Sequence, residues 1–215
     1  MVKPNFRYEI GLWKRDFEYV AGVDEVGRGC FAGPVVTGSV VFKKGTKIPK
    51  EIYINDSKKV SKIRRLKVAG WLKENALAWG IGEGKVSEIN RKGMTKATNS
   101  ALRRAVSQLD SKLGTRVHYL LIDAFYIPYI RGLPTDKKQI AIVNGDEKSL
   151  SIAAASIIAK VHRDNLMKEL SAKYPLYGWG KNKGYGTKEH QKAIKNYGLT
   201  KYHRTVFVKT FLNKL

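Results

Sequence analysis

The chain has 215 residues with 43% hydrophobic content, and its 41 Lys and Arg against 18 Asp and Glu give a formal net charge of +23 at pH 7. That length suits one well-buried domain or a domain with a small appendage, and such a charge excess is usually matched by a polyanion: nucleic acid first, an anionic membrane surface second. No stretch approaches the roughly 18 uninterrupted apolar residues of a membrane span. No secretory signal is visible in Met1–Asp16, and the single Cys30 excludes an internal disulfide, so a cytoplasmic protein without a membrane partner is expected.

Lys3 to Phe17 reads as an N-terminal extension whose Trp13 and Phe17 can pack on a core. Tyr19–Val23 is a short apolar strand, and the β-branched run Val35–Phe42 predicts a second, antiparallel to it. Asn55-Asp-Ser-Lys-Lys59 has turn chemistry, and Ser61 is placed to cap a helix to about Ala76 with Ile63, Leu66, Val68, Ala69 and Leu72 as its apolar positions. Ala78–Gly82 predicts a glycine-weakened strand near an edge. A helix from about Thr95 to Leu109 should bury Ala97, Ala101, Leu102, Ala105, Val106 and Leu109. Tyr119–Ile122 has the continuous apolarity of a strand covered on both faces. Gln139–Val143 is the next strand, and a long helix runs from about Ser149 to Lys173. The basic remainder holds one helix near Glu189–Tyr197. The fold expected is α/β, a mixed five-stranded sheet flanked by helices (about 18–173) with a small helical C-terminal lobe (about 174–215).

The strand ends carry acid: Asp24 and Glu25 after the first, Asp123 after the fourth, Asp146 shortly after the fifth. Adjacent strand ends can bring four such carboxylates together. Like charges would force some of them to hold protons unless a cation intervened. Hard divalent ions with oxygen ligands, Mg2+ or Mn2+ rather than zinc, suit this set, and a pair of them is the arrangement that supports phosphodiester hydrolysis. Taken singly, Asp123 is as well explained by a helix cap or loop, and Asp146 by a turn. Their joint placement in so basic a chain favours the metal reading.

The chain resembles ribonuclease HII, the type 2 ribonuclease H family. The resemblance rests on Gly22-Val-Asp-Glu-Val-Gly-Arg-Gly29, Gly33-Pro-Val-Val36, Asn55-Asp-Ser-Lys-Lys59, Ala97-Thr98, Ile122-Asp-Ala124 and Gly145-Asp146. It continues through Ser151–Val161, Arg163-Asp164, Gly184-Tyr-Gly-Thr-Lys-Glu-His190 and His203-Arg204, in family order. It implies a ribonuclease-H-like fold, a nucleic-acid groove between core and lobe, and a monomeric endonuclease. That enzyme cuts the RNA strand of RNA–DNA hybrids and nicks 5′ of single ribonucleotides embedded in duplex DNA, leaving 3′-hydroxyl and 5′-phosphate. By position, Asp24, Glu25, Asp123 and Asp146 match the catalytic, metal-binding carboxylates. Gly27, Arg28 and Gly29 match the motif that contacts the ribose 2′-hydroxyl, Lys58 and Lys59 match phosphate contacts, and Tyr185 matches the tyrosine against the following deoxyribose.

Val26, Cys30 and Asn144 depart from the family's usual alanine, proline and lysine, and Thr205-Val-Phe207 from its Ser-Phe; none removes an acid. Asp164 is expected to pair with Arg163 or Lys160, and His190 and His203 to be structural or phosphate-contacting. The rival readings are a non-catalytic basic RNA-binding protein, which leaves the four acids unexplained, and another metal nuclease of the same fold, which needs no 2′-hydroxyl.

Overall fold

A computed structural model describes residues 3–212; positions 1–2 and the 213–215 end of the expected C-terminal lobe lie outside the described residues. Five strands, β1 (Val20–Val26), β2 (Val35–Val41), β3 (Ala78–Gly84), β4 (Tyr119–Asp123) and β5 (Gln139–Ile142), form one mixed sheet in the order β3-β2-β1-β4-β5. The first three are antiparallel neighbours, whereas β4 runs parallel to β1 and β5 parallel to β4. The helices are α1 (Arg7–Trp13), α2 (Lys62–Asn75), α3 (Val86–Lys92), α4 (Met94–Leu113), α5 (Leu150–Lys173), α6 (Trp179–Asn182), α7 (Lys188–Tyr197) and α8 (Thr205–Leu212).

The two faces of the sheet take alternate residues, as the period of a strand requires. Leu120 and Ile122 join Ala21, Val23 and Val41 against Leu102, Val106 and Leu109 of α4. Tyr119 and Leu121 face the other way, with Val20, toward Leu12 and Trp13 of α1 and Ile152 of α5. Val40 lies on that side too, against Val68, Ala69 and Leu72 of α2 and the small residues Ala153–Ala155 of α5. The glycines of β3 have a packing reason: a Cβ on Gly80 or Gly82 would run into the Ala105 and Ala101 carbonyls of α4. They let that helix lie directly on the edge strand.

Three expectations change. The N-terminal extension contains a helix, because Leu12 and Trp13 are buried against the sheet and not merely able to reach it. Ile63 and Leu66, two of the apolar positions expected of α2, are exposed, Ile63 at 82%; α2 buries only the face carrying Val68, Ala69 and Leu72. The last residues of β1 include Asp24 and Glu25, so the acids sit within the strand rather than beyond it.

The C-terminal helices pack on the second half of α5: Met167 and Leu170 meet Tyr177, Trp179, Ala193, Ile194 and Val208, with Ala32 from the β1–β2 connection. Two buried arginines tie this part to that connection. Arg163 donates to the carbonyls of Pro34, Ala32 and Lys183 at 3.1, 3.1 and 2.8 Å. Arg204 donates to those of Gly33 and Arg28 at 2.8 and 2.7 Å. Carbonyl oxygens, not carboxylates, receive both charges.

Candidate active site

Parallel pairing brings the first acids together. Val23 pairs with Ile122, so Asp24 comes one step further along β1 beside Asp123 on β4. Asp123 in turn pairs with Ile142. Four residues later Asp146 lies not at a strand end but in a 3-10 turn, Gly145–Glu147, entered through Asn144 in the left-handed region at φ 53°. Gly145 donates its N–H to Asp123 Oδ1 at 2.8 Å, which joins that turn to β4.

A cleft of about 310 Å³ is lined by Asp24, Glu25, Val26, Gly27, Arg28, Gly29, Ser57, Lys58, Asp123, Asp146, Ser156, Lys160 and Tyr185. Every residue expected at the site is therefore in one place except Lys59, which points away and pairs with Glu147 at 2.8 Å on the surface. Sequence reasoning overlooked Ser57, Ser156 and Lys160. Ser156 and Lys160 sit in α5 and Ser57 in a turn, places that packing and turn chemistry already explained. Asp164 holds Lys160 at 2.7 Å, as expected, and lies 3.9 Å from Arg65; Arg163 is instead committed to backbone carbonyls.

The electrostatics are those of crowded acids. Burial foremost, then the charge of Glu25, pushes Asp24 well above the usual carboxylate range, against a hydrogen bond from Ser156. Burial also raises Glu25, partly offset by Arg28 at 3.3 Å. Asp146 is pushed up to about 6 by burial, then by Asp56 and Asp123. Lys58 is held above its ordinary value because the charges of Asp56, Asp146 and Asp24 outweigh the burial that opposes them. Desolvation and mutual repulsion thus make the protein alone a poor host for the ionised forms of Asp24, Glu25 and Asp146.

The donor set fits a divalent cation. It is all carboxylate oxygen, and Glu25 Oε2 is buried without a hydrogen-bond partner. Among the described residues no three acids close into a ready cage, and several of their oxygens accept hydrogen bonds from the protein. Asp24 Oδ1 accepts from the Glu25 N–H at 2.7 Å, Asp123 Oδ1 from Gly145, and Glu25 Oε1 from Arg28.

The glycines flanking Arg28 differ in kind. Gly27 has φ 91°, and a Cβ there would strike the Arg163 guanidinium, so the fold itself requires glycine. A Cβ on Gly29 would meet no protein atom within 4 Å. Nothing in the fold demands glycine there, yet it lines the cleft. Tyr185 stands opposite, 43% exposed, on a loop fixed to the same segment: Phe31 and Ala32 donate their N–H groups to the Gly184 carbonyl at 2.8 and 3.1 Å. His190 and His203, by contrast, are fully buried and structural.

The family profile of ribonuclease HII matches residues 21–211. The ribonuclease HII of Caldanaerobacter subterraneus subsp. tengcongensis is 44% identical over 95% of this chain and 80% of its own length. That of Clostridioides difficile is 46% identical over 95% and 76%. Among solved structures, the ribonuclease H2 of Pyrococcus horikoshii superposes with a TM-score of 0.69 at 26% identity, covering 87% of this chain and 92% of that one. Bst-RNase HIII in complex with Mn2+ shares the fold at 0.66 and 20% identity, covering 89% and 65%. With its acids gathered at the ends of a mixed sheet and its sequence matched almost end to end, the chain belongs to the ribonuclease HII family and is a ribonuclease H enzyme.

Proposed function

We propose that this cleft hydrolyses the RNA strand of RNA–DNA hybrids and nicks duplex DNA on the 5′ side of a single embedded ribonucleotide, leaving 3′-hydroxyl and 5′-phosphate. One observation carries the reading: the acid cluster shares its cleft with Gly29, whose missing side chain leaves room that the fold does not use. A 2′-hydroxyl is the group that separates RNA from DNA, and backbone at a glycine lets a sugar approach closely enough to be tested for it.

Asp24, Glu25, Asp123 and Asp146 would hold Mg2+ or Mn2+, two ions in the working site; the Mn2+ bound by Bst-RNase HIII points the same way. When bound, such ions lower the pKa of water and stabilise charge on the phosphoryl oxygens. The chain's own part is to place the substrate. Arg28, stacked 5.1 Å from the Phe125 ring, Lys58 and Lys160 offer cations to the phosphates on either side of the scissile one. Lys59 would act only on the more distant backbone. Tyr185 presents a ring for the sugar that follows the ribonucleotide, a stacking role of the kind that aromatics play in nucleic-acid grooves.

The core (about 18–173) and the C-terminal lobe (about 174–215) would act as one unit, since α5 contributes to both hydrophobic clusters. The enzyme would work as a monomer. Side chains of α4 already occupy the free edge of β3: Lys112 Nζ donates to the Trp79 carbonyl at 2.7 Å, Gln108 Oε1 accepts from Ile81 N–H at 2.9 Å, and Arg104 reaches the Glu83 carbonyl. Among the described residues no helix is long and apolar enough to cross a membrane.

The test is cleavage of a duplex carrying one ribonucleotide, beside an all-DNA duplex, with Mg2+, with Mn2+ and with chelator. A metal-dependent nick immediately 5′ of the ribonucleotide, absent from the all-DNA control, is the expected result. Equal cutting of both duplexes would keep the metal site and remove the 2′-hydroxyl sensor.

A further inference from the structure

Glu9 is a carboxyl group buried completely, far in sequence from the acids of the cleft and outside every motif that marks the site. It lies in α1, and its Oε1 accepts three hydrogen bonds from the start of α5: Ser149 Oγ at 2.7 Å, Ser151 N–H at 3.0 Å and Ser151 Oγ at 2.6 Å. Its Oε2 is buried without a partner. The segment before it grips the same place, with Asn5 N–H donating to the Lys148 carbonyl at 3.2 Å and Leu150 N–H to the Asn5 carbonyl at 3.1 Å.

The residues held in this way, 148–151, follow directly on the turn that carries Asp146. That turn is closed by Lys148 and Ser149, whose N–H groups both donate to the Gly145 carbonyl. Gly145 is in turn bonded to Asp123 and lies against Ile152. On its other side the first turn of α5 rests on β1: a Cβ on Gly22, two residues before Asp24, would strike the backbone of Ser151 and Ile152. One knot of backbone therefore sets Asp146 relative to both Asp24 and Asp123, and Glu9 is the only side chain outside the knot that ties three of its donors to a single atom among the bonds described.

We propose that Glu9 is a positioning residue for the acid cluster: through Ser149 and Ser151 it fixes the turn that presents Asp146 to the divalent ion. This rests on the reading of Asp146 as a metal ligand. Groups that orient ligands from behind are worth roughly 10–100-fold in metal affinity or activity, and a shift of the Asp146 turn would act on the ion without touching the nucleic-acid surface.

The experiment measures Mn2+ binding to the substrate-free protein by calorimetry, together with kcat and KM on a hybrid, for the native chain, Glu9→Ala, Glu9→Gln, Ser151→Ala and Asp146→Asn. Glu9→Ala is expected to weaken Mn2+ binding by about tenfold or more and lower kcat in proportion, with KM for the hybrid within about twofold. Glu9→Gln keeps an oxygen acceptor and should restore most of the affinity. Should Glu9→Ala not fold, Ser151→Ala, which removes one bond of the three, carries the same test with a smaller loss. A folded Glu9→Ala or Ser151→Ala that binds Mn2+ like the native chain, while Asp146→Asn does not, overturns the role of Glu9 alone. Unchanged binding by Asp146→Asn overturns the metal reading of Asp146, and the role of Glu9 falls with it.

Discussion

Arg204 donates to the carbonyl of Arg28 at 2.7 Å across 176 positions of sequence. Arg204 is wholly buried, and burial pulls its guanidinium down to about 10, yet it remains charged and spends that charge on the backbone of the Gly27–Gly33 segment. A hydrogen bond from a charged donor contributes about 1.5–3 kcal/mol, and a buried carbonyl left unpaired costs about 1–3 kcal/mol. Arg204→Met should therefore lower stability by about 2–4 kcal/mol and raise KM for a hybrid, because the loop that meets the sugar loses its brace. Denaturant unfolding and steady-state kinetics on one preparation check this; a stable variant with unchanged KM would refute the brace.

Asp123→Asn separates folding from chemistry. The asparagine Oδ1 can still accept from Gly145 N–H, so the contact between β4 and the 3-10 turn survives. What is lost is a negative oxygen for the divalent ion. Stabilisation by such an ion amounts to several kcal/mol, and about 4 kcal/mol corresponds to about a thousandfold in rate. Cleavage should fall by that order while the melting temperature holds or rises, since one of the repelling charges is gone. Native-like turnover would remove Asp123 from the metal site.

Gly29→Ala makes the opposite separation from Gly27→Ala. At Gly27 an added methyl meets Arg163 and a positive φ, so the fold should suffer. At Gly29 it meets no protein atom, and the unfolded chain loses freedom, so stability should stay level or rise by about 0.4–1 kcal/mol. Cleavage at a single ribonucleotide should nonetheless drop, because the methyl fills the space kept for the sugar. Thermal melting and nicking rates, compared side by side, decide it. An active Gly29→Ala would mean that the sugar does not approach there.

The sheet and its acids were legible because their signals are local. Continuous apolarity at Tyr119–Ile122 marks a strand buried on both faces, and Asp123 directly follows it. The long helix was expected from about Ser149, and in the structure Ser149 caps it by accepting from Ile152 N–H. What stayed hidden depends on partners distant in sequence. Helix α1 is only seven residues long and is held by burial of Leu12 and Trp13 rather than by helix propensity. Lys58 and Lys59 are indistinguishable as a charge pair, and only the position of Glu147 shows which one leaves the cleft. Glu9 carries no motif, and its three bonds link positions 140 or more apart. Ile63 is one of the apolar positions of α2, but among the described residues no element covers it, and it stays 82% exposed.

His190 and His203 should both be neutral in the folded protein. Trp179 Nε1 donates to His190 Nε2 at 3.0 Å, which leaves His190 Nδ1 to donate to the Tyr185 carbonyl at 2.8 Å. His203 Nδ1 accepts from Thr200 N–H at 2.9 Å, leaving its Nε2 to donate to His190 Nε2 at 3.2 Å. Burial first, then the neighbouring His190, pushes His203 down to about 4 from an ordinary 6.5. The unfolded chain therefore binds the proton more readily, so the contribution of His203 is full above about pH 6.5 and is lost as pH falls toward 4. Titration of the imidazole signals by NMR should show His203 unprotonated at pH 5.5. A midpoint near 6.5 would contradict the network that supports Tyr185.

The covered edge of β3 makes a prediction about association. An unpaired strand edge is a template for pairing with another chain, and here Arg104, Gln108 and Lys112, one helical turn apart on α4, each satisfy a backbone group of alternate residues Glu83, Ile81 and Trp79. Those alternate groups are the ones that face away from β2. The Lys112 ammonium also lies 3.5 Å from the centre of the Trp79 ring, which places its stem across the strand. Replacing all three residues by alanine should expose the edge while leaving in place the buried residues of α4 that they border, Ala101 and Ala105 among them. The native chain should sediment as a monomer. The triple variant should form dimers or larger species at tens of micromolar, with the cleft still active at low concentration. If the variant stays monomeric at high concentration, the glycine-rich strand is too poor a template to need the cover, and the three side chains act only on stability.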